Sequence, residues 1–185
     1  MGTGSLKLVA LVPAMQPAFM ELLQDYTQSG PDRYDEDLLQ VQKDFAAYAR
    51  RLENESHGIN LAPGHVAQST HWLQDAAGNL LGEIRLRHTL TPLLAREGGH
   101  IGYDIRPSMR RHGYGTAQLA LLLPIARERG LDHVLVTCKC DNIASARIIE
   151  KNGGIFENEV LSWRHSDTWF CRYWITLLDI MESHP

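Results

Sequence analysis

The sequence is poor in cysteine: Cys138, Cys140 and Cys171 are the only three in 185 residues. An odd, sparse count excludes a disulfide framework and suits a reducing compartment, so a cytoplasmic location is expected. Cys138 and Cys140 form a C-x-C pair with no second pair to match it. In a strand both would point to one face, and the preferred reading is small apolar residues in a buried strand, with no metal. Long apolar runs are missing too. The longest, Leu119–Ala126, covers eight residues and contains Pro124. That is too short to span a bilayer, so no membrane partner is expected. No Lys/Arg-rich block stands out and the net charge is −4, which argues against a nucleic-acid surface. The opening Met1-Gly2-Thr3-Gly4-Ser5-Leu6 misses a myristoylation signal because Leu6 stands where Ser or Thr is needed.

What is present is ordinary for a globular protein, with 44% hydrophobic and 22% charged residues. The length suits one domain over residues 1–185, large enough to hold a core without a disulfide or metal. Leu6–Val12 reads as a first strand. Pro17–Gln28 and Leu38–Leu52 carry apolar residues at helical spacing, with an acidic loop, Asp32–Asp37, between them. Val66–Gln74 and Leu80–His88 read as a hairpin around the turn Asp75–Asn79. Thr91–Gly99 is a connector with room for one helical turn, and His100–Ile105 is a strand. Gly113–Arg129 is a long helix closed by Gly130, with Pro124 expected to bend or loosen it. His133–Cys138 is a strand, Ile143–Asn152 a helix stopped by Gly153-Gly154. Ile155–Val160 and Trp169–Leu177 are the last strands. This order predicts one mixed α/β sheet rather than a doubly wound parallel one.

The informative stretch runs from Ile101 to Gln118: a strand, a basic glycine-bearing loop, then a helix. A helix start exposes unpaired N–H groups and the positive end of its dipole, so phosphates bind there readily. Gly113 and Gly115 let backbone approach an anion without a Cβ in the way. Arg106, Arg110, Arg111 and His112 add positive charge. The elementary reading is a diphosphate cradle, set against a plain turn with solvated arginines. A nucleotide P-loop would need a Lys that this loop lacks, and a dinucleotide fingerprint would need glycine where Gln118 stands.

The stretch resembles the signature of the GNAT superfamily of N-acetyltransferases, [R/Q]-x-x-G-x-[G/A] after a strand ending V-x-P. Here Ile105-Arg106-Pro107 is followed by Arg110-Arg111-His112-Gly113-Tyr114-Gly115. A second signature lies downstream, in Asn142, Ser145 and Gly153. Gly98-Gly-His-Ile-Gly-Tyr103 resembles a subgroup known mainly as predicted acetyltransferases. The resemblance covers the whole chain. It implies a GNAT-like acyl-CoA N-acyltransferase fold, a single mixed, mostly antiparallel central sheet flanked by helices. It implies acetyl-CoA as acyl donor, an amine acceptor, and room for a homodimer. Backbone N–H groups from Arg111, His112, Gly113, Tyr114, Gly115 and Thr116 would hold the pyrophosphate, beside Arg110. The strand His100–Ile105 would splay from His133–Cys138. Pantetheine would lie in that gap, bonded to backbone near Tyr103 and Ile105, with Asn142 and Ser145 on its other side.

The implied chemistry is direct attack of a neutral amine on the thioester, which needs a base for the amine and an acid for the thiolate. In much of the family a Tyr seven residues after the Asn is the acid; here that position is Ile149. Tyr103 is the substitute candidate, against a purely structural aromatic. A thiol with a pKa of about 8.5, by analogy with Cys, can also leave unaided as its thiolate. For the base, Glu83 is the first candidate, against an ion pair with Arg85 or Arg87. His100 is the second, against a structural histidine tying down Gly98-Gly99, and His88 is a weaker third. Asp32, Asp35, Glu36 and Asp37 would attract a cationic acceptor, and Trp72, Trp163 and Trp169 would wall a pocket or fill the core. Two functions follow: an N-acetyltransferase for a small-molecule or peptide amine, or a non-catalytic acyl-CoA-binding module for sensing or assembly.

Overall fold

The computed structural model describes residues 5–29 and 41–177. The strands are β1 (Lys7–Val9), β2 (Gln68–Gln74), β3 (Leu80–Arg87), β4 (Ile101–Ile105), β5 (His133–Lys139), β6 (Ile155–Leu161) and β7 (Trp169–Thr176). The helices are α1 (Gln16–Gln28), α2 (Phe45–Ser56), α3 (Pro92–Arg96), α4 (Tyr114–Glu128) and α5 (Ile143–Lys151). The strands form one sheet in the order β1-β2-β3-β4-β5-β7-β6. Every neighbouring pair is antiparallel except β4 and β5. The β2–β3 turn is set by Asp75, whose Oδ1 accepts from Ala77 N (3.0 Å) and Asn79 N (2.8 Å). That is the local bonding that makes Asp a turn former.

Both faces are covered because the helices carry apolar stripes. On one face Phe19, Leu22, Leu23 and Tyr26 of α1 pack with Phe45, Tyr48 and Ala49 of α2 over Trp72. On the other, Leu119, Leu122 and Ala126 of α4 and Ile149 of α5 cover Ile84, Ile101, Val134 and Val136. Trp72 is thus core, whereas Trp163 and Trp169 are exposed.

Several expectations are corrected. The first strand is shorter than Leu6–Val12 because Pro13 opens a 3-10 turn and β2 pairs only with Lys7–Val9. The helix predicted through Leu52 is interrupted at Asp44, whose carboxylate accepts from Ala47 N (2.8 Å) and starts α2 afresh. A good N-cap residue placed inside a helical pattern competes with helix continuation. Leu38 and the acidic loop Asp32–Asp37 lie outside the described residues. The cysteines are not all unpaired: Cys140 and Cys171 form a disulfide, and Cys138 is free and buried. The β5–β7 ladder sets Cys138 opposite Cys171 and leaves Cys140 within reach, a proximity across strands that spacing does not reveal. The pairing removes the support that unpaired cysteines lent to a cytoplasmic location. Among the described residues, no helix is long and apolar enough to cross a membrane.

Candidate active site

The site is built where β4 leaves β5. Their ladder has a single register pair, Ile101 with Val136. Just before it, Gly98 (φ 113°) and Gly99 (φ 62°) turn in conformations that side chains resist. A Cβ on Gly99 would lie 2.4 Å from Leu135 O, so only glycine fits this approach. The turn swings both carbonyls to Arg87 Nη1, at 3.0 and 2.9 Å. His100 then replaces the missing rung. Its N–H donates to Leu135 O (2.7 Å), and its Nδ1 accepts from Leu135 N (2.9 Å). Beyond this clamp the strands diverge.

The divergence opens a groove of about 810 Å³. Ile105, Arg110, Arg111, Gly113, Tyr114, Gly115, Thr116, Asn142 and Ser145 line it, as does Tyr103. His112 does not; its ring stacks on Tyr114, with centroids 5.9 Å apart. The loop is shaped by two left-handed residues, Arg111 (φ 67°) and Gly113 (φ 84°). Such alternation turns successive N–H groups into an anion-binding concavity. Gly113 caps α4 with no side chain, and Ala117 N to Gly113 O (3.2 Å) is the first bond of the helix. The N–H groups of Tyr114, Gly115 and Thr116 therefore have no helical partner. Gly115 sits where a Cβ would come 2.6 Å from Ile148 Cδ1 of α5. Arg110 is partly committed, with Nε donating to Ile105 O (2.9 Å) and Nη2 lying 3.4 Å from Asp104.

Arg106, predicted to add charge here, does not line the groove. Its Nε pairs with Asp25 of α1 at 2.8 Å, and Asp25 also accepts from Ser108 Oγ (2.6 Å) and Ser108 N (3.2 Å). Burial works to raise the Asp25 pKa, but these hydrogen bonds outweigh it and hold the carboxyl below its usual range. The ion pair fastens α1 to the start of the glycine loop, a role no local signal announces.

A second cavity, about 310 Å³, lies on the other side of the splay and shares Tyr103, Asn142 and Ser145 with the groove. The two openings meet at these residues. Asn142 caps α5, its Oδ1 accepting from Ser145 N (3.0 Å). The Tyr103 hydroxyl lies 2.8 Å from Ser145 Oγ and 3.3 Å from Ser145 O. Burial pushes the Tyr103 pKa well above that of a free phenol, so it stays protonated. Cys138 also lines this cavity, and burial raises its pKa too.

The other catalytic candidates fare differently. Glu83 is only 5% exposed and forms an ion pair with Arg85 Nε at 2.9 Å. It lines neither opening but a third cavity of about 730 Å³ beneath α2. His100 does not fit a base: with Nδ1 accepting from Leu135, a neutral ring carries its proton on Nε2 and has no free lone pair. His88 is held by Ser69 Oγ at 2.9 Å. Ile149 is fully buried and lines neither the groove nor the second cavity, so the position of the family's usual acid is core here. One group of three metal donors occurs among the described residues, Cys140, Cys171 and Glu159, but its two sulfurs are bonded to each other.

Comparison with known proteins agrees with this architecture. Residues 6–155 match the family model described as an acetyltransferase (GNAT) domain. No curated protein sequence matches significantly. Among solved structures, spermidine N-acetyltransferase from Vibrio cholerae, in complex with CoA and spermine, is 16% identical with a TM-score of 0.61. That likeness covers 93% of this chain and 95% of the other. RimJ of Mycobacterium smegmatis, in complex with CoA-disulfide, is 16% identical with a TM-score of 0.68, over 94% and 82%. The microcin self-immunity acetyltransferase MccE, in complex with acetyl-CoA and AMP, is 10% identical with a TM-score of 0.68, over 95% and 93%. The extent of the family match and the shared sheet agree: this chain belongs to the GNAT acetyltransferase family.

Proposed function

We propose that this chain is an N-acetyltransferase that moves an acetyl group from acetyl-CoA to a primary amine by direct attack. The observation that carries the reading is the splay itself. A groove with an anion-binding loop at one end continues, past Tyr103 and Ser145, into a second cavity open to an acceptor. The residues present fit the donor. Free N–H groups at the start of α4 suit a pyrophosphate, and the divergent edge of β4 suits an amide-bearing arm that adds like a strand. Acetyl-CoA supplies the activated acyl group as a thioester. The loop and β4 hold that donor, and the shared residues Tyr103, Asn142 and Ser145 fix where donor and amine meet, which is the positioning part of catalysis. Tyr103, protonated and beside this junction, is the candidate to protonate the departing thiolate. A polyamine ligand on this fold has a precedent in the Vibrio cholerae enzyme, whose structure is in complex with CoA and spermine.

Two observations favour a second reading, a non-catalytic acyl-CoA-binding module. The usual acid position is the buried Ile149, and the Tyr103 hydroxyl already has a partner in Ser145. Thiol release from acetyl-CoA, measured across a panel of alkylamines and peptide amines, separates the two. Amine-dependent release with a matching N-acetyl product by mass supports the enzyme. Tight acetyl-CoA binding without release under any amine supports the module.

A further inference from the structure

The cavity beyond the splay has one carboxylate in its lining, that of Glu97. Glu97 follows α3 and precedes the Gly98-Gly99 turn. It is held from the β6–β7 turn: its Oε2 accepts from Ser162 Oγ (2.8 Å) and Trp163 N (3.3 Å). Ser162 is buried, and its Oγ also accepts from Arg164 N and His165 N, both at 3.1 Å. Arg96, the preceding residue, adds two bonds to Leu161 O at 3.2 and 3.0 Å. The carboxylate is therefore fixed by one of its oxygens, and Oε1 has no partner among the described residues. The wall beside it is Ile101, Gly102 and Tyr103, where β4 parts from β5. The cations of the lining are Arg87 and Arg164. Arg87 is engaged by Gly98 O and Gly99 O, and Arg164 lies over the Trp163 ring at 4.5 Å.

We propose that Glu97 receives the ammonium group of the acceptor in this cavity and removes one proton from it before attack. The inference rests on the acetyltransferase reading. It assigns the acceptor's chemical class: a primary ammonium at the end of a chain slender enough for a cavity of about 310 Å³. Glu97 Oε1 takes a proton from R–NH3+. The freed lone pair forms the C–N bond at the thioester carbonyl carbon, and the C–S bond breaks. The sulfur leaves with the electron pair and takes a proton from the Tyr103 hydroxyl, which regains the second proton lost by the nitrogen, while the proton on Glu97 passes to solvent. The charge balances, with one ammonium consumed and one proton released. None of the three sequence candidates competes: Glu83 is paired with Arg85 in another cavity, the His100 lone pair is occupied, and His88 is held by Ser69 outside this cavity's lining.

The alternative is that Glu97 only ties down the β6–β7 turn. Glu97→Gln separates the roles, because the amide oxygen still accepts from Ser162 and Trp163 while the charge and the base are gone. The readouts are kcat/KM for acetylation of n-butylamine and phenethylamine from pH 7 to pH 10, and acetyl-CoA affinity by calorimetry. At pH 7 the variant should lose about 10²–10⁴-fold in kcat/KM, the usual worth of a general base, with acetyl-CoA affinity unchanged. The deficit should shrink as pH approaches about 10.4, where an alkylamine supplies its own neutral form. A Gln variant equal to wild type at pH 7, or a deficit constant over pH, overturns the base role alone. Wild-type protein that binds acetyl-CoA yet acetylates neither amine overturns the acetyltransferase reading for this amine class and the base role with it.

Discussion

Replacing His100 with leucine should loosen the vertex of the cleft between β4 and β5. The imidazole accepts the N–H of Leu135, a residue with no exposed surface, and leucine offers no acceptor. A buried donor left unsatisfied costs about 1–3 kcal/mol. For a chain of 185 residues each kcal/mol moves Tm by about 2–4 °C, so the expected fall is roughly 2–12 °C. Asparagine is the control, because its Oδ1 occupies the place of Nδ1 on the same Cγ. His100→Asn should recover most of the loss in a thermal or urea melt, and acetyl-CoA affinity should follow the same order. The pH dependence carries a sign. Burial, with help from Arg87, lowers the His100 pKa below 6.5, and burial lowers those of His71 and His88 as well. The unfolded chain then binds protons that the folded one refuses, so stability rises with pH across that window. It is fully present above about 6.5 and declines as pH falls from 6.5 toward the folded values. His100→Asn should flatten part of that decline. A leucine variant as stable as wild type, or an asparagine variant no better than leucine, would refute the clamp.

Other outcomes follow from the groove and its supports. Arg111→Ala removes a charge from the cradle and should weaken acetyl-CoA binding by about 1.5–3 kcal/mol, the worth of a charge-assisted contact, measurable by calorimetry. Gly115→Val should weaken it too, because its Cβ would press on Ile148 of α5 and shift the helix start. Asp25→Asn should release Arg106 and Ser108, lowering Tm and acetyl-CoA affinity together. Since the Asp25 pKa is lowered on folding, its stabilisation is present above about 3.8 and is lost as pH falls through the folded value. Ile149→Tyr should overpack the core and cost about 1–3 kcal/mol in a melt, without creating an acid.

The strand and helix order was legible because periodicity is local. Phe19, Leu22, Leu23 and Tyr26 read as one stripe in the sequence and are one buried stripe in α1. The turn that opens α4 was legible for the same reason: Arg110–Thr116 is a continuous segment, and its left-handed residues Arg111 and Gly113 need no distant partner. The other features are contacts between remote segments. Arg106 looked like a phosphate ligand because its neighbours are basic, whereas its actual partner is Asp25, far back in α1. Glu97 carried no motif, since its meaning comes from Ser162 and Trp163 on the β6–β7 turn. His100 was legible as a residue that ties the Gly98-Gly99 turn. Only the ring's bond to Leu135 shows that it lacks the free lone pair a base requires.

The most direct measurement of the cofactor assignment is backbone amide exchange with and without acetyl-CoA. At the cradle the N–H groups of Tyr114, Gly115 and Thr116 have no helical partner and should exchange fast in the free protein. Saturating acetyl-CoA should slow exchange across Arg111–Thr116 and at Tyr103–Ile105 of β4, and leave β1 and β2 unchanged. Exchange at Arg111–Thr116 that is indifferent to saturating acetyl-CoA would contradict the account.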